Sequence, residues 1–111
     1  MNKFVLVIIV LIAAFFVLKP STAPFTAREV NPTCDIIMFS TSWCPVCKSA
    51  GEYLDRKNYK YCEVDIEKDA VAYDYYKRLG TRGVPTILIG DQVTVGLNPR
   101  EIEQYMENYN L

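Results

Sequence analysis

Cys44 and Cys47 stand three positions apart in Trp43-Cys44-Pro45-Val46-Cys47-Lys48, and they are the side chains best arranged to do chemistry. Pro45 suits the first position of a helix, so the pair spans one helical turn with Cys44 at its N-terminus. Free backbone N–H groups and the positive end of the helix dipole favour thiolate over thiol there. Cys47, one turn further in, is expected to be more buried and protonated. The asymmetry divides the labour: Cys44 attacks a disulfide in a partner, and Cys47 resolves the mixed disulfide. The chain has no histidine, which excludes Ser-His-Asp and Cys-His catalysis and any imidazole metal ligand.

A second motif lies downstream. In Gly83-Val84-Pro85-Thr86 a proline without an N–H stands just ahead of a strand, where that loss is tolerated. In a redox fold such a proline faces the dithiol through a cis Val84–Pro85 bond. The Val84 backbone beside it is then placed to pair with an extended peptide or with glutathione, so Trp43, Val84, Pro85 and Thr86 form the expected substrate-binding set.

The elements that must hold these motifs follow from periodicity and punctuation. Asp35–Ser40 is a short apolar run that reads as a buried strand, and Cys44–Lys57 follows as a helix with Val46, Cys47, Ala50 and Leu54 at helical spacing. Tyr61–Asp65 reads as a second strand. Asp69 caps a helix that runs to Leu79 and stops at Gly80. Thr86–Ile89 and Gln92–Val95 flank the turn pair Gly90-Asp91 and predict a hairpin. Asn98-Pro99-Arg100-Glu101 opens a last helix bearing Ile102, Tyr105, Met106 and Tyr109. The order is β-α-β-α-β-β-α, an α/β unit with a right-handed parallel crossover and an antiparallel edge.

The first third of the chain is different in kind. Phe4–Leu18 is a 15-residue run without charge, about 22 Å long as a helix and short of the ~30 Å hydrocarbon core. Lys3 and Lys19 can snorkel across part of the deficit. The run reads as an uncleaved signal anchor, with a cleaved signal peptide and a buried structural helix as alternatives. Its flanking positive charges balance, but a three-residue head ahead of an apolar stretch usually inserts with the head cytoplasmic. The domain is then held at the inner membrane facing the periplasm or cell exterior, or is secreted or periplasmic after cleavage. Lys19–Thr33, with Pro20, Pro24 and Pro32, reads as a tether without its own core. Residues 34–111 carry nine Lys or Arg against twelve Asp or Glu, which gives no footprint for nucleic acid.

The Trp-Cys-Pro-Val-Cys motif, the later Val-Pro and the element order resemble the glutaredoxin-like branch of the thioredoxin superfamily over most of Asp35–Tyr109. Asp65-Ile66-Glu67-Lys68-Asp69 and the stretch from Gly83 to Gly96 are similar to small bacterial members. The resemblance implies a thioredoxin/glutaredoxin-like fold, with a four-stranded mixed sheet flanked by three helices in addition to the N-terminal apolar helix. It also implies Cys44 as nucleophile, Cys47 as resolving thiol and Pro85 in cis. No tightly bound cofactor and no metal are expected. Two departures argue against glutathione as reductant: Thr41-Ser42-Trp43 stands where glutathione users often carry a lysine. Gly96-Leu97-Asn98-Pro99 replaces their Gly-Gly and Asp pair. Trp43 is closer to thioredoxin, which protein partners recycle. In this fold the strands that begin near Cys34 and Cys62 are neighbours, so a structural disulfide between them is one reading. Two buried free thiols are the other.

Thiol–disulfide oxidoreduction, with protein disulfides and a thiol electron donor as partners of a monomer, is therefore the leading expectation. A thiolate metal or iron–sulfur module is an alternative, weakened by the single CxxC. A redox-inactive tethered binding domain is another. Tyr73, Tyr75 and Tyr76 read as packing residues. Arg82 and Lys48 read as solvated cations, while Glu63 and Asp65 read as strand charges, with proton transfer as a second role.

Overall fold

A computed structural model describes residues 2–9 and 22–111. Its elements in chain order are α1 (Ala27–Val30), β1 (Ile36–Ser40), α2 (Pro45–Arg56), β2 (Cys62–Asp65), α3 (Ala70–Leu79), β3 (Thr86–Ile89), β4 (Gln92–Val95) and α4 (Pro99–Asn108). The four strands form one mixed sheet in the order β2-β1-β3-β4. The chain carries the thioredoxin/glutaredoxin-like α/β fold.

Local chemistry sets most of the boundaries. The Asp69 carboxylate accepts from the N–H groups of Val71 and Ala72 at the start of α3, and Gly80 ends that helix with φ +72°. The Asn98 side chain accepts from Glu101 N at the start of α4, with Pro99 at the first helical position. Gly90, at φ +61°, turns the β3–β4 hairpin, and a side chain there would collide with the Tyr109 ring.

β1 is the hinge of the architecture. It pairs parallel with β2, Ile37 opposite Cys62 and Ser40 opposite Asp65, and antiparallel with β3, Ile37 opposite Leu88. All five of its residues are buried, because both faces of the sheet are covered. One face packs Ile36, Met38, Ile87 and Ile89 against α2 and α4 through Leu54, Ile102 and Met106. The other packs Ile37, Phe39 and Leu88 against α3 and against Phe25 and Ala27.

That second face corrects the reading of Lys19–Thr33. From Thr22 onward the segment is a docked strap and not a tether. Thr22 bridges Gln92 on the sheet edge, Ala27 N donates to Gly90 O at 2.8 Å, and Phe25 and Ala27 are buried. The Phe25 ring meets Tyr75 edge-on at 4.9 Å. α3 is too short to cover its face alone, and the strap fills the remainder. The folded unit therefore begins well before Cys34. Within the strap, Thr26 N donates to Glu29 Oε2 at 3.0 Å, a capping contact that starts the extra helix α1. Arg28 Nε donates to Asp35 Oδ1 at 2.6 Å, and that bond holds the Asp35 carboxyl below its usual range.

At the other end of the strap Cys34 and Cys62 are joined, with their Cα atoms 6.1 Å apart. This bond ties the strap's exit to the edge strand β2. It closes a loop across 28 positions, for which chain entropy gives about 3.6 kcal/mol of stabilisation. Replacing both cysteines with alanine is expected to cost that much in urea unfolding and to leave the dithiol chemistry intact. An unchanged urea midpoint would show that the bond contributes nothing to the fold.

Of the apolar run Phe4–Leu18, residues 4–9 are helical and exposed, and residues 10–18 lie outside the described residues. Among the described residues no helix is long and apolar enough to cross a membrane.

Candidate functional site

The dithiol sits where β1 hands over to α2. The Thr41 carbonyl accepts from Cys44 N at 3.4 Å, turning the chain so that Cys44 becomes the N-cap of α2 with Pro45 next to it. Two groups then converge on the Cys44 sulfur. Cys47 N–H donates to it at 3.1 Å. Its own thiol proton points at Val84 O, 3.7 Å away. Beyond lies the cis Val84–Pro85 bond, which brings that carbonyl over the helix terminus. Sequence motifs 40 positions apart thus meet at one atom.

Cys47 is the deeper of the two thiols, 2% exposed against 8% for Cys44. Burial first, then the hydrogen bond with Cys44 and the negative charge of Glu63, push its thiol up to about 12, while the Thr41 backbone bond acts in the opposite sense. A raised value means the proton stays on through neutral pH. In a Cys44→Ser variant, Cys47 is expected to react with iodoacetamide about a hundredfold more slowly than free cysteine near neutrality, with the rate climbing toward high pH. Alkylation at the rate of free cysteine would contradict the burial argument.

The other expected contacts separate into two groups. Trp43 is two-thirds exposed beside the dithiol, and its indole N–H donates to Glu67 Oε1 at 2.7 Å. Trp43, Glu67, Tyr73, Arg82 and Val84 line one open cleft. Thr86 belongs elsewhere. It is fully buried, and its hydroxyl donates to Gly83 O at 2.6 Å and meets Thr81 Oγ1 at 2.9 Å. Its side chain fixes the loop that presents Val84 and does not face a substrate, a correction that follows from its inward position on β3. Pro85 is likewise buried, and its carbonyl is taken by Gly96 N at 2.8 Å.

Tyr75 and Tyr76 pack as expected, against Phe25 and Phe39, and the Tyr76 hydroxyl also reaches Gly83 O at 3.4 Å. A second cleft of about 410 Å³ opens on the opposite side of the dithiol, lined by Cys44, Cys47, Lys48 and Glu63 among others. Ser40, Thr41 and Glu67 were not singled out by the sequence; only Glu67 carried a local signal, in the charged turn Asp65–Asp69. Among the described residues no group of three or more His, Cys, Asp or Glu side chains is arranged to hold a metal ion.

Residues 36–94, which contain β1, the dithiol, the cis proline and the hairpin, match the family described as Glutaredoxin. The chain belongs to the glutaredoxin family. Its activity is accordingly of the thiol–disulfide oxidoreductase class. It is 36% identical over 73 residues to an uncharacterized glutaredoxin-like 8.6 kDa protein in the rubredoxin operon of Clostridium pasteurianum, covering 65% of this chain and 97% of that one. It is 32% identical over 69 residues to mycoredoxin 1 of Corynebacterium glutamicum, covering 62% of this chain and 86% of that one. Among solved structures, the thioredoxin-like protein BC3987 superposes with a TM-score of 0.60 at 28% identity, covering 63% of this chain and 97% of that chain. The strap, Thr22 to Asp35, precedes the matched glutaredoxin segment.

Proposed function

We propose that this glutaredoxin exchanges electrons with protein disulfides, with Cys44 attacking and Cys47 resolving. The observation that carries the reading is the Cys44 sulfur at the helix start, with the Cys47 N–H aimed at it and the Val84 carbonyl above. An N–H donor there meets negative charge on the attacking sulfur. The attack forms a bond from Cys44 Sγ to one partner sulfur and releases the other as thiolate. Cys47, once deprotonated, then forms the intramolecular disulfide and frees the partner, reduced by two electrons.

The cleft beside Val84 supports a peptide partner over glutathione. Exposed Trp43 offers an apolar wall for a peptide, and the Glu67 carboxylate held by its indole offsets the Arg82 cation in the same cleft, which leaves no net positive charge there for an anionic tripeptide. The working protein in this reading has no tightly bound cofactor, no nucleic-acid partner and a monomeric state, and a thiol donor recharges it. Anchoring through residues 4–18 with the domain in the periplasm or cell exterior is part of the same reading. Thr22 pairs with Gln92, level with Ile36 at the end of β1 remote from Cys44.

The test is trapping. A Cys47→Ser variant incubated with a disulfide-bonded peptide is expected to accumulate a mixed disulfide at Cys44, identified by mass. Recharging of the oxidised wild-type protein by a thioredoxin couple is expected to outpace recharging by glutathione. No adduct at Cys44 would overturn the assignment, and faster recharging by glutathione would overturn the choice of donor.

A further inference from the structure

We propose that the Cys34–Cys62 bond is a second redox site: an external dithiol opens it, the Asn31 amide stabilises Cys62 as the leaving thiolate, and the strap comes untied from β2. The roles of Cys44 and Cys47 do not enter into it.

The setting of the two sulfurs points to this chemistry. Asn31 Nδ2 donates to Cys62 Sγ at 3.7 Å. The other end of the amide fixes its orientation, because Asn31 Oδ1 accepts from the Thr33 backbone N–H at 3.0 Å and from the Thr33 hydroxyl at 2.7 Å. A flipped amide would set N–H against N–H. The donor is therefore aimed at the sulfur before any thiolate forms. A disulfide sulfur is a weak acceptor and gains little from it. A thiolate gains a charge-assisted bond, so the donor favours the reduced pair and the step that leads to it. Thr33 Oγ1 lies 3.6 Å from Cys34 Sγ, but its proton is already given to Asn31. The two sulfurs thus differ. Cys62 is the better leaving group, and Cys34 is the sulfur attacked.

Access agrees with that direction. Cys34 is half-buried and follows Pro32 and Thr33, both exposed. The chain's own dithiol is excluded as the reductant, since Cys34 precedes β1 and Cys44 follows it. The five residues of β1 alone put about 17 Å between them. The reductant is then a dithiol on another molecule. Its first thiolate bonds Cys34 Sγ as the Cys34–Cys62 bond breaks, and Cys62 keeps the electron pair. Its second sulfur bonds the first and displaces Cys34. Two electrons pass to the pair, the reductant becomes a disulfide, and both thiolates can take up protons from solvent. The strap loses its covalent tie to β2. It keeps its docking contacts through Phe25, Ala27 and the Glu29 carbonyl, which accepts from the Tyr75 hydroxyl at 3.4 Å. The Trp43 and Val84 cleft lies at the other end of β1, so this pair takes electrons without serving partner disulfides.

The oxidised full-length protein is incubated with dithiothreitol, quenched with acid and alkylated, and the Cys34 and Cys62 peptides are followed by mass. Reduction is expected in the folded state, at a rate that changes no more than about twofold as urea is raised below the unfolding transition. A rate that climbs with urea as global unfolding does would overturn the proposal. Asn31→Asp keeps an acceptor oxygen for Thr33 and sets a carboxylate oxygen, in place of the N–H, against Cys62. It is expected to slow reduction about tenfold while the urea midpoint of the oxidised protein stays at the wild-type value. An unchanged rate of reduction overturns the role of Asn31. Glutathione, a monothiol, gives a reading that needs no variant: its adduct is expected on Cys34, and an adduct on Cys62 overturns the choice of leaving sulfur. Trypsin is expected to cut after Arg28, exposed in α1, at least about tenfold faster once the bond is reduced. Equal rates would show that the strap stays docked without the bond and would overturn its release.

Discussion

Cys44→Ser is expected to lower turnover of a disulfide substrate by at least about 10³-fold while leaving the fold as stable as before. No other group can take over. Cys47 is buried and keeps its proton, and Cys34 and Cys62 are bonded to one another at the far end of β1. A serine hydroxyl at the same place is a far weaker nucleophile without a base, and the chain has no histidine to serve as one. Stability is protected because Cys44 is the N-cap of α2, accepting from Cys47 N, and serine is a favoured residue at that position. The variant should therefore melt at or above the wild-type temperature. Paired measurement of insulin reduction and thermal unfolding separates the two effects. Activity within tenfold of wild type would remove Cys44 from the chemistry, and a large fall in melting temperature would reassign the loss to unfolding.

The dithiol and its proline were legible because their signals are local. A proline after the first cysteine fixes the helix start, Gly80 and Asp69 fix the ends of α3, and Gly90-Asp91 fixes the hairpin register. Each is a property of a few adjacent residues. The contacts that were not legible depend on pairing between strands. Ser40 meets Glu63 only because Met38 stands opposite Glu63 in the β1–β2 register, and no feature of either segment alone specifies that register. Thr86 was misjudged for a related reason. Its neighbour Val84 lines the site, but Pro85 is buried and the Thr86 hydroxyl turns inward to Gly83 O. The disulfide lay between these cases, since the fold makes neighbours of its strands without dictating that the sulfurs bond.

The strap is the largest misreading, and one substitution tests its correction. Pro20, Pro24 and Pro32 among serines and threonines have the composition of a linker, and that composition hides a buried aromatic. Phe25 is 7% exposed, packed edge-on against Tyr75 and beneath the Arg78 guanidinium, on the sheet face that α3 leaves open. Phe25→Ala is expected to cost about 4 kcal/mol, the loss typical of a core phenylalanine. That is a large share of the 5–15 kcal/mol that ordinarily holds a domain together. Tyr73→Ala, on the solvent side of α3 and 47% exposed, should cost no more than about 0.5 kcal/mol. Urea denaturation of the two variants measures the contrast directly. Equal and small losses would return the segment to the status of a linker. A loss confined to Phe25 would mean that the domain needs its N-terminal strap to close the sheet, so that a chain cut back to the family's own boundary near Ile36 would have an open apolar face behind its active site.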